Sequence, residues 1–178
     1  MVDKIEREYQ GGKIRIVPIE EWHVARVIEK LRESDRKEAW KAWRLRADEV
    51  ARLSVESSEE GFTILHEGEP TGLFGVSRAS LFSETGIIWL LGTDGLEKIG
   101  YSLAKETRAV VDTLLEKYKK LMNWVDKKNC KSVLWLKRSG FEVEEAAPFG
   151  VYGEDFCYFW KEKRPSLKAG SSIKEEIK

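Results

Sequence analysis

The sequence predicts an α/β protein, a central mixed sheet of about seven strands flanked by about four helices. Three stretches predict it. Ile87–Gly92 (IIWLLG) is continuously apolar, as a strand covered on both faces must be. Lys120–Phe141 (KLMNWVDKKNCKSVLWLKRSGF) reads as strand, turn, helix, turn, strand. Its apolar core Leu121–Val125 is short enough for a buried strand, and Asp126 or Asn129 caps the helix that follows. Gly140, lacking a Cβ, takes the left-handed conformation that ends it. Phe62–His66 and Gly72–Ser77 are separated by the turn-forming Glu67-Gly68-Glu69-Pro70, so they pair as a hairpin.

Taken in order, residues 1–12 are polar, end in a glycine pair and predict a flexible start. Lys13–Ile19 alternates charged and apolar residues and predicts a first strand. Pro18 stands near a helix start, with Glu20 and Glu21 where the helix dipole favours negative charge. Val24, Val27, Ile28 and Leu31 share one helical face. Ser34-Asp35 breaks that helix and caps a second, from Arg36 to Leu53. Its predicted apolar stripe is Trp40, Trp43, Ala47, Val50 and Ala51. Lys37, Lys41, Arg44 and Arg52 lie on the other face. After the hairpin, Ser83–Gly86 turns the chain into the central strand Ile87–Gly92. Gly92–Gly100 predicts a loop. Tyr101–Tyr118 predicts a helix, with Leu103, Val110, Val111, Leu114 and Leu115 in period. The Lys120–Phe141 unit follows, then strands from Phe141 to about Ala146 and Asp155 to Lys161, the second antiparallel to the first across a Gly/Pro turn. One domain over 13–162 is expected, with a disordered charged tail over 163–178.

Composition narrows the function. Lys plus Arg and Asp plus Glu are 31 each, so the net charge is zero, and the long-range attraction of a dedicated nucleic-acid binder is missing. The two cysteines, Cys130 and Cys157, lack metal-ligand spacing and read as free thiols in a reducing compartment. No apolar run approaches membrane-spanning length, and the opening residues are too polar for a signal peptide.

Asn129, Ser132, Leu136, Gly140 and Phe141 carry a resemblance. The unit resembles the last core unit of the GNAT-type N-acetyltransferases, where N-x-x-[AS]-x-x-x-Y-x-x-x-G-F joins two strands through a helix. Asn129, Ser132, Gly140 and Phe141 match, and Leu136 stands at the tyrosine position. The resemblance covers Ile14 to Trp160. The wording WLLGT (Trp89–Thr93), NWVDKKN (Asn123–Asn129) and VLWLKRSGF (Val133–Phe141) is similar to a bacteriophage branch of that fold, which includes internal virion proteins of podophages.

The resemblance implies acetyl-CoA as cofactor. It also implies a phosphate cradle of form [QR]-x-x-G-x-[GA] between the central strand and the next helix, where backbone N–H groups face the anion. Here that region supplies Leu91, Gly92, Thr93, Gly95, Lys98 and Gly100, with Asn129 on the adjoining unit. No window matches the pattern, and Asp94 and Glu97 place negative charge where a pyrophosphate would sit. In family enzymes the tyrosine protonates the leaving thiolate; Leu136 cannot, and Tyr101, Tyr152 and Tyr158 are the substitutes to consider. As general bases the sequence offers Glu84, His66 and Asp126, while Asn129 suits a helix start.

Three readings follow. The first is a phage-type GNAT-fold protein with a degenerate acetyl-CoA site. It would be virion-associated or infection-accessory, in the host cytoplasm or the virion, with phage or host proteins as partners and Trp40/Trp43 as a possible surface. The alternative is an acetyl-CoA-dependent N-acetyltransferase. That reading requires the strands at Ile87–Gly92 and Leu121–Val125 to splay, with free N–H groups aimed at a pocket. A nucleic-acid surface on the basic helix is a third reading, against which the zero net charge counts.

Overall fold

A computed structural model describes residues 7–11 and 13–163, and at positions 101, 102, 104 and 105 the backbone alone. The tail over 164–178, residues 1–6 and the Tyr101 side chain lie outside the described residues. The chain forms one mixed sheet of eight strands. They are β1 (Arg7–Tyr9), β2 (Ile14–Pro18), β3 (Glu60–His66), β4 (Glu69–Arg78), β5 (Thr85–Gly92), β6 (Lys120–Asp126), β7 (Glu142–Phe149) and β8 (Glu154–Glu162). The spatial order is β1-β2-β3-β4-β5-β6-β8-β7. Only β5 and β6 are parallel; every other pair is antiparallel.

Five helices are described: α1 (Glu21–Glu29), α2 (Glu33–Trp43), α3 (Ala47–Glu56), α4 (Asp94–Leu114) and α5 (Cys130–Arg138). The strand period of two divides the core between the two faces of the sheet. On one face Phe74, Val76, Leu121 and Val125 pack with Leu96, Ile99, Leu103, Val110 and Leu114 of α4 and Leu136 of α5. On the other, Leu73 and Trp89 pack with Val24, Val27 and Ala39 of α1 and α2 and with Ala47 at the start of α3.

Several predicted elements stand. The hairpin forms, but its turn is Glu67 and Gly68 alone, both at positive φ (51° and 85°), the primed turn that suits a two-residue hairpin; Glu69 and Pro70, expected in the turn, open β4 and pair with His66 and Leu65. Gly140 is left-handed at φ 89°. Asn129 caps α5 by accepting the Ser132 N–H at 3.3 Å.

Others are corrected. Arg7–Tyr9 is a strand rather than part of a flexible start; it pairs with β2. The single helix expected over Arg36–Leu53 is two, so the described residues hold five helices where the sequence predicts about four. The break falls at Arg44, left-handed at φ 55°. No glycine or proline marks it, because tertiary contacts hold it. The Arg44 guanidinium lies 3.4 Å from the Tyr152 ring centroid and 5.0 Å from that of Trp40. Val151 N–H also bonds the Ala42 carbonyl at 3.2 Å. The buried face of α2 is therefore Asp35, Ala39 and Ala42, while Trp40 and Trp43 remain about half exposed. The loop expected at Gly92–Gly100 is mostly helix: α4 begins at Asp94, with the Thr93 hydroxyl accepting the Gly95 N–H at 3.2 Å. Asp94 and Glu97 sit in its first turn, where the dipole favours them.

Gly75 is where β4 lies flush against its neighbours. A Cβ there would sit 2.6 Å from the Glu60 carbonyl oxygen and 2.8 Å from the Trp89 ring. Gly75→Ala should destabilise the protein by about 1–3 kcal/mol, read by urea denaturation; an unchanged midpoint would contradict this packing.

Candidate active site

β5 and β6 start side by side and then part. They pair only at Thr85↔Lys120, Gly86↔Leu121 and Ile87↔Met122. Ile88–Gly92 and Asn123–Asp126 have no partner in one another. β6 instead stays paired with β8 along its whole length, and β5 with β4. The Asn123 side-chain amide donates to the Ile88 carbonyl at 2.8 Å, bridging the fork.

Strand alternation fixes which peptides face the opening. Thr93 N–H bonds Thr71 O on the β4 side at 2.9 Å, while the Ile88 and Gly92 carbonyls take partners on the other side. Even-numbered peptides of β5 thus face the fork. Gly92 is satisfied there: its N–H donates to Asp35 Oδ2 at 2.7 Å and its carbonyl accepts Arg32 N–H at 3.0 Å. Leu90 lies between Ile88 and Gly92, so its N–H and C=O point into the opening.

A cavity of about 460 Å³ lies at the fork, within the range typical of small-molecule sites. Most of its wall is aromatic or aliphatic, from α2, α3, β5, β6, α5 and the β7–β8 pair. Its described charged wall residues are Arg32, Asp35 and Glu38. Arg32 and Asp35 are paired at 2.8 Å, both nearly buried. Burial pushes the Asp35 carboxyl up, although Arg32 and the Gly92 N–H hold its charge.

Glu38, one helical turn on, has no ion-pair partner among the described residues. Its contacts are the Asn129 side-chain amide at 3.3 Å and the Asp126 N–H. Burial pushes its carboxyl up to about 7; the Asn129 bond opposes this, and the neighbouring Asp35 and Asp126 reinforce it. A carboxyl titrating near neutrality in a mostly apolar cavity is a proton acceptor placed for use.

The residues anticipated from sequence fall in different places. Leu136 is buried and lines the cavity without a hydroxyl. Asn129 lines it too, between Glu38 and the α5 N-terminus. Glu84 is exposed and pairs with Lys119 at 2.5 Å, beside the closed end of the fork. His66 ends β3 and does not line the cavity. Asp126 is buried in an ion pair with Lys41, which removes that lysine from the expected basic surface. Tyr152 carries Arg44, and Tyr158 packs tilted against Trp124 with centroids 5.2 Å apart; neither lines the cavity. The Leu91 peptide faces β4, its neighbour Leu90 the opening. Among the described residues no cluster that could hold a metal occurs, and no helix is long and apolar enough to cross a membrane.

A second groove, of about 210 Å³, runs between α4 and α5 and shares Arg32, Leu90, Ser132 and Trp135 with the cavity. Gly100 lines it, and a Cβ there would meet nothing within 4 Å. Lys131 and Arg138 also line it, and Lys131 is ion-paired with Glu97. Gly95 lies inside α4. The amides of Thr93, Gly95 and Leu96 are committed to Thr71 O, Thr93 Oγ1 and Thr93 O respectively, at 2.9–3.2 Å. Lys98 is exposed on α4.

No protein-family model matches the sequence, and no curated protein does. In fold, the chain is similar to a GNAT-family acetyltransferase from Bacillus anthracis (TM-score 0.65, 14% identity, 88% of this chain and 97% of that one). It is similar to RimL, a ribosomal L7/L12 alpha-N-protein acetyltransferase in complex with coenzyme A (0.63, 10%, 84% and 94%). It is also similar to a spermidine N-acetyltransferase from Vibrio cholerae in complex with CoA and spermine (0.58, 14%, 84% and 95%). The chain has the GNAT acetyltransferase fold.

Two variants test this geometry. Asp35→Ala leaves Arg32 and the Gly92 N–H buried without their partner. It should cost about 3–5 kcal/mol in denaturant unfolding, and a loss under 1 kcal/mol would show the clamp to be dispensable. Glu38 tests the electrostatics. Its folded value of about 7 lies above its ordinary 4.5, so the folded state binds the proton more tightly. Its contribution is therefore fully present below about 4.5 and lost as pH rises through 7. Glu38→Gln should flatten that limb of the stability–pH curve and make the protein more stable than wild type at pH ~8. An unchanged limb would contradict the assignment.

Proposed function

We propose that the protein is an acetyl-CoA-dependent N-acetyltransferase whose general base is Glu38. The observation that carries this reading is the fork between β5 and β6, which opens onto a cavity holding one unpaired carboxyl. The coenzyme fits the residues present. The fork, cavity and α4–α5 groove are continuous through Leu90 and Ser132, and Gly100 leaves the groove open. The Leu90 N–H and C=O would hold the pantetheine arm as an added strand would. The phosphates would lie toward Lys131, Arg138 and Lys98, held by side-chain cations in place of a glycine-loop cradle.

Bound acetyl-CoA would supply an acetyl thioester, whose C–S bond breaks as the new N–C bond forms. Glu38 takes the proton that the acceptor amine must lose, and the Asn129 amide keeps the carboxylate aimed into the cavity. The Leu90 N–H is placed to donate to an oxyanion at the fork. Ser132, the hydroxyl at the junction of cavity and groove, replaces the absent tyrosine beside the leaving sulfur.

A second reading is favoured by Leu136 and by the committed amides at the start of α4: a GNAT-fold protein whose catalysis is lost and whose cleft serves a virion-associated or infection-accessory role. The bacteriophage association rests on the wording of three segments, and the similar structures named above are acetyltransferases.

Calorimetric titration with acetyl-CoA separates the two. Micromolar binding supports the transferase, and no binding at millimolar coenzyme supports the second reading. With an acceptor in hand, kcat/KM should rise through an apparent pKa near 7, where burial places the Glu38 carboxyl. Glu38→Gln should lower it by roughly 10²–10⁴ and abolish that limb. An intact pH profile in the variant would remove Glu38 from its role.

A further inference from the structure

The cavity wall has a composition that selects among amines. Trp43, Trp89, Trp124, Trp135, Phe149 and Phe156 line it. Several touch in a chain: Trp43 meets Phe149 edge-on at 5.8 Å, Trp124 stacks on Phe149 at 4.6 Å, and Phe149 meets Phe156 at 5.3 Å. The chain of rings runs from half-exposed Trp43 at the surface to fully buried Phe156. Against these rings stands one uncommitted described charge, Glu38. Asp35 is held by Arg32 and the Gly92 N–H, and Arg32 is held by Asp35. Lys41 and Asp126 are held by one another.

We propose that the acceptor is a small primary amine on a flat hydrophobic body, its ammonium at Glu38 and its body among the Trp and Phe rings. The inference rests on the acetyl-transfer reading for its chemistry, and on the wall for its selectivity. The rings bury the body and attract the cation through their faces, while Glu38 fixes the reacting nitrogen near the Leu90 peptide. A polyamine would bring further ammonium groups with no free carboxylate among the described wall residues to meet them. An amine bearing a carboxylate or phosphate would find no free cation among them. A peptide N-terminus would carry amide groups into a wall made largely of aromatic and aliphatic side chains, where unpaired amides cost binding.

The test is fluorescence or calorimetric titration of the full chain at pH 8, without acetyl-CoA. The probes are 2-phenylethylamine, 2-phenylethanol, spermidine and a serine-initiated tripeptide. The proposal expects 2-phenylethylamine to bind at least about tenfold more tightly than the alcohol, and more tightly than spermidine or the peptide. In Glu38→Gln the amine should weaken to the level of the alcohol, whose affinity should not change. A preference for spermidine or the peptide, an amine preference that survives in Glu38→Gln, or no binding of the aromatic amine would each overturn the proposal. Because the coenzyme is left out, amine binding by a chain that refuses acetyl-CoA would sink the transferase reading and leave the ligand class standing. Acetyl-CoA binding without amine selectivity would do the reverse.

Discussion

The site depends on β5 and β6 being held apart after their first three pairs. Two parallel strands in a core should zip along their length, since each unpaired buried peptide group costs free energy. Here the partners they would lose are supplied from elsewhere. Asp35 and Arg32 occupy both polar groups of Gly92 at the far end of β5, and Asn123 occupies the Ile88 carbonyl at the near end. β6 bonds β8 with alternate peptides, and on its fork side the Trp124 N–H donates to the Asn123 side-chain oxygen and the Asp126 N–H to Glu38. What remains on β5 is the peptide of Leu90, between two satisfied neighbours. The opening is thus defined by which groups are already paired, and the cavity follows from it.

The same clamp shapes the electrostatics. Asp35 and Arg32 neutralise one another, as do Asp126 and Lys41, so four charges beside the cavity add nothing to its net character. Glu38 is left among them with an amide and a backbone N–H as its hydrogen-bond partners among the described residues. Its carboxyl is raised by burial, with two like-charged neighbours pushing the same way. A single carboxyl in an aromatic wall then serves both to attract a cation and to take its proton, since ammonium binding draws it into the charged form.

Much of the fold was legible in the sequence because local signals and tertiary structure agree there. The apolar run of β5, Gly68 in the hairpin turn and the Asn129–Gly140 helix are each written in residues that favour their conformation. The misreadings occur where tertiary contacts prevail. Gly95 and Gly100 read as loop residues, yet Thr93 caps a helix through them because Leu96, Ile99 and Leu103 face the core. The α2–α3 break carries no breaker residue; the ring of Tyr152, distant in sequence, holds Arg44 in it. The Trp40 and Trp43 stripe followed from assuming one helix, and the small residues Ala39 and Ala42 are what the core accepts at that place.

The candidate site was less legible. Asn129 and Leu136 were found through a spacing, and both line the cavity. Glu38 has no local mark: it is one acid among several on a charged helix, distinguished only by what lies across from it. The one available signal was its spacing of three from Asp35, on the face that also carries Ala39 and Ala42. The Leu90 peptide is invisible to sequence, since any residue has one.

The most direct test of the parted strands is a crystal structure of the chain grown with coenzyme A. The account predicts the pantetheine arm between β5 and β6, bonded to the Leu90 N–H and C=O, with the sulfur within reach of Ser132. Strands paired through to Gly92 and Asp126, or coenzyme bound away from the fork, would contradict it.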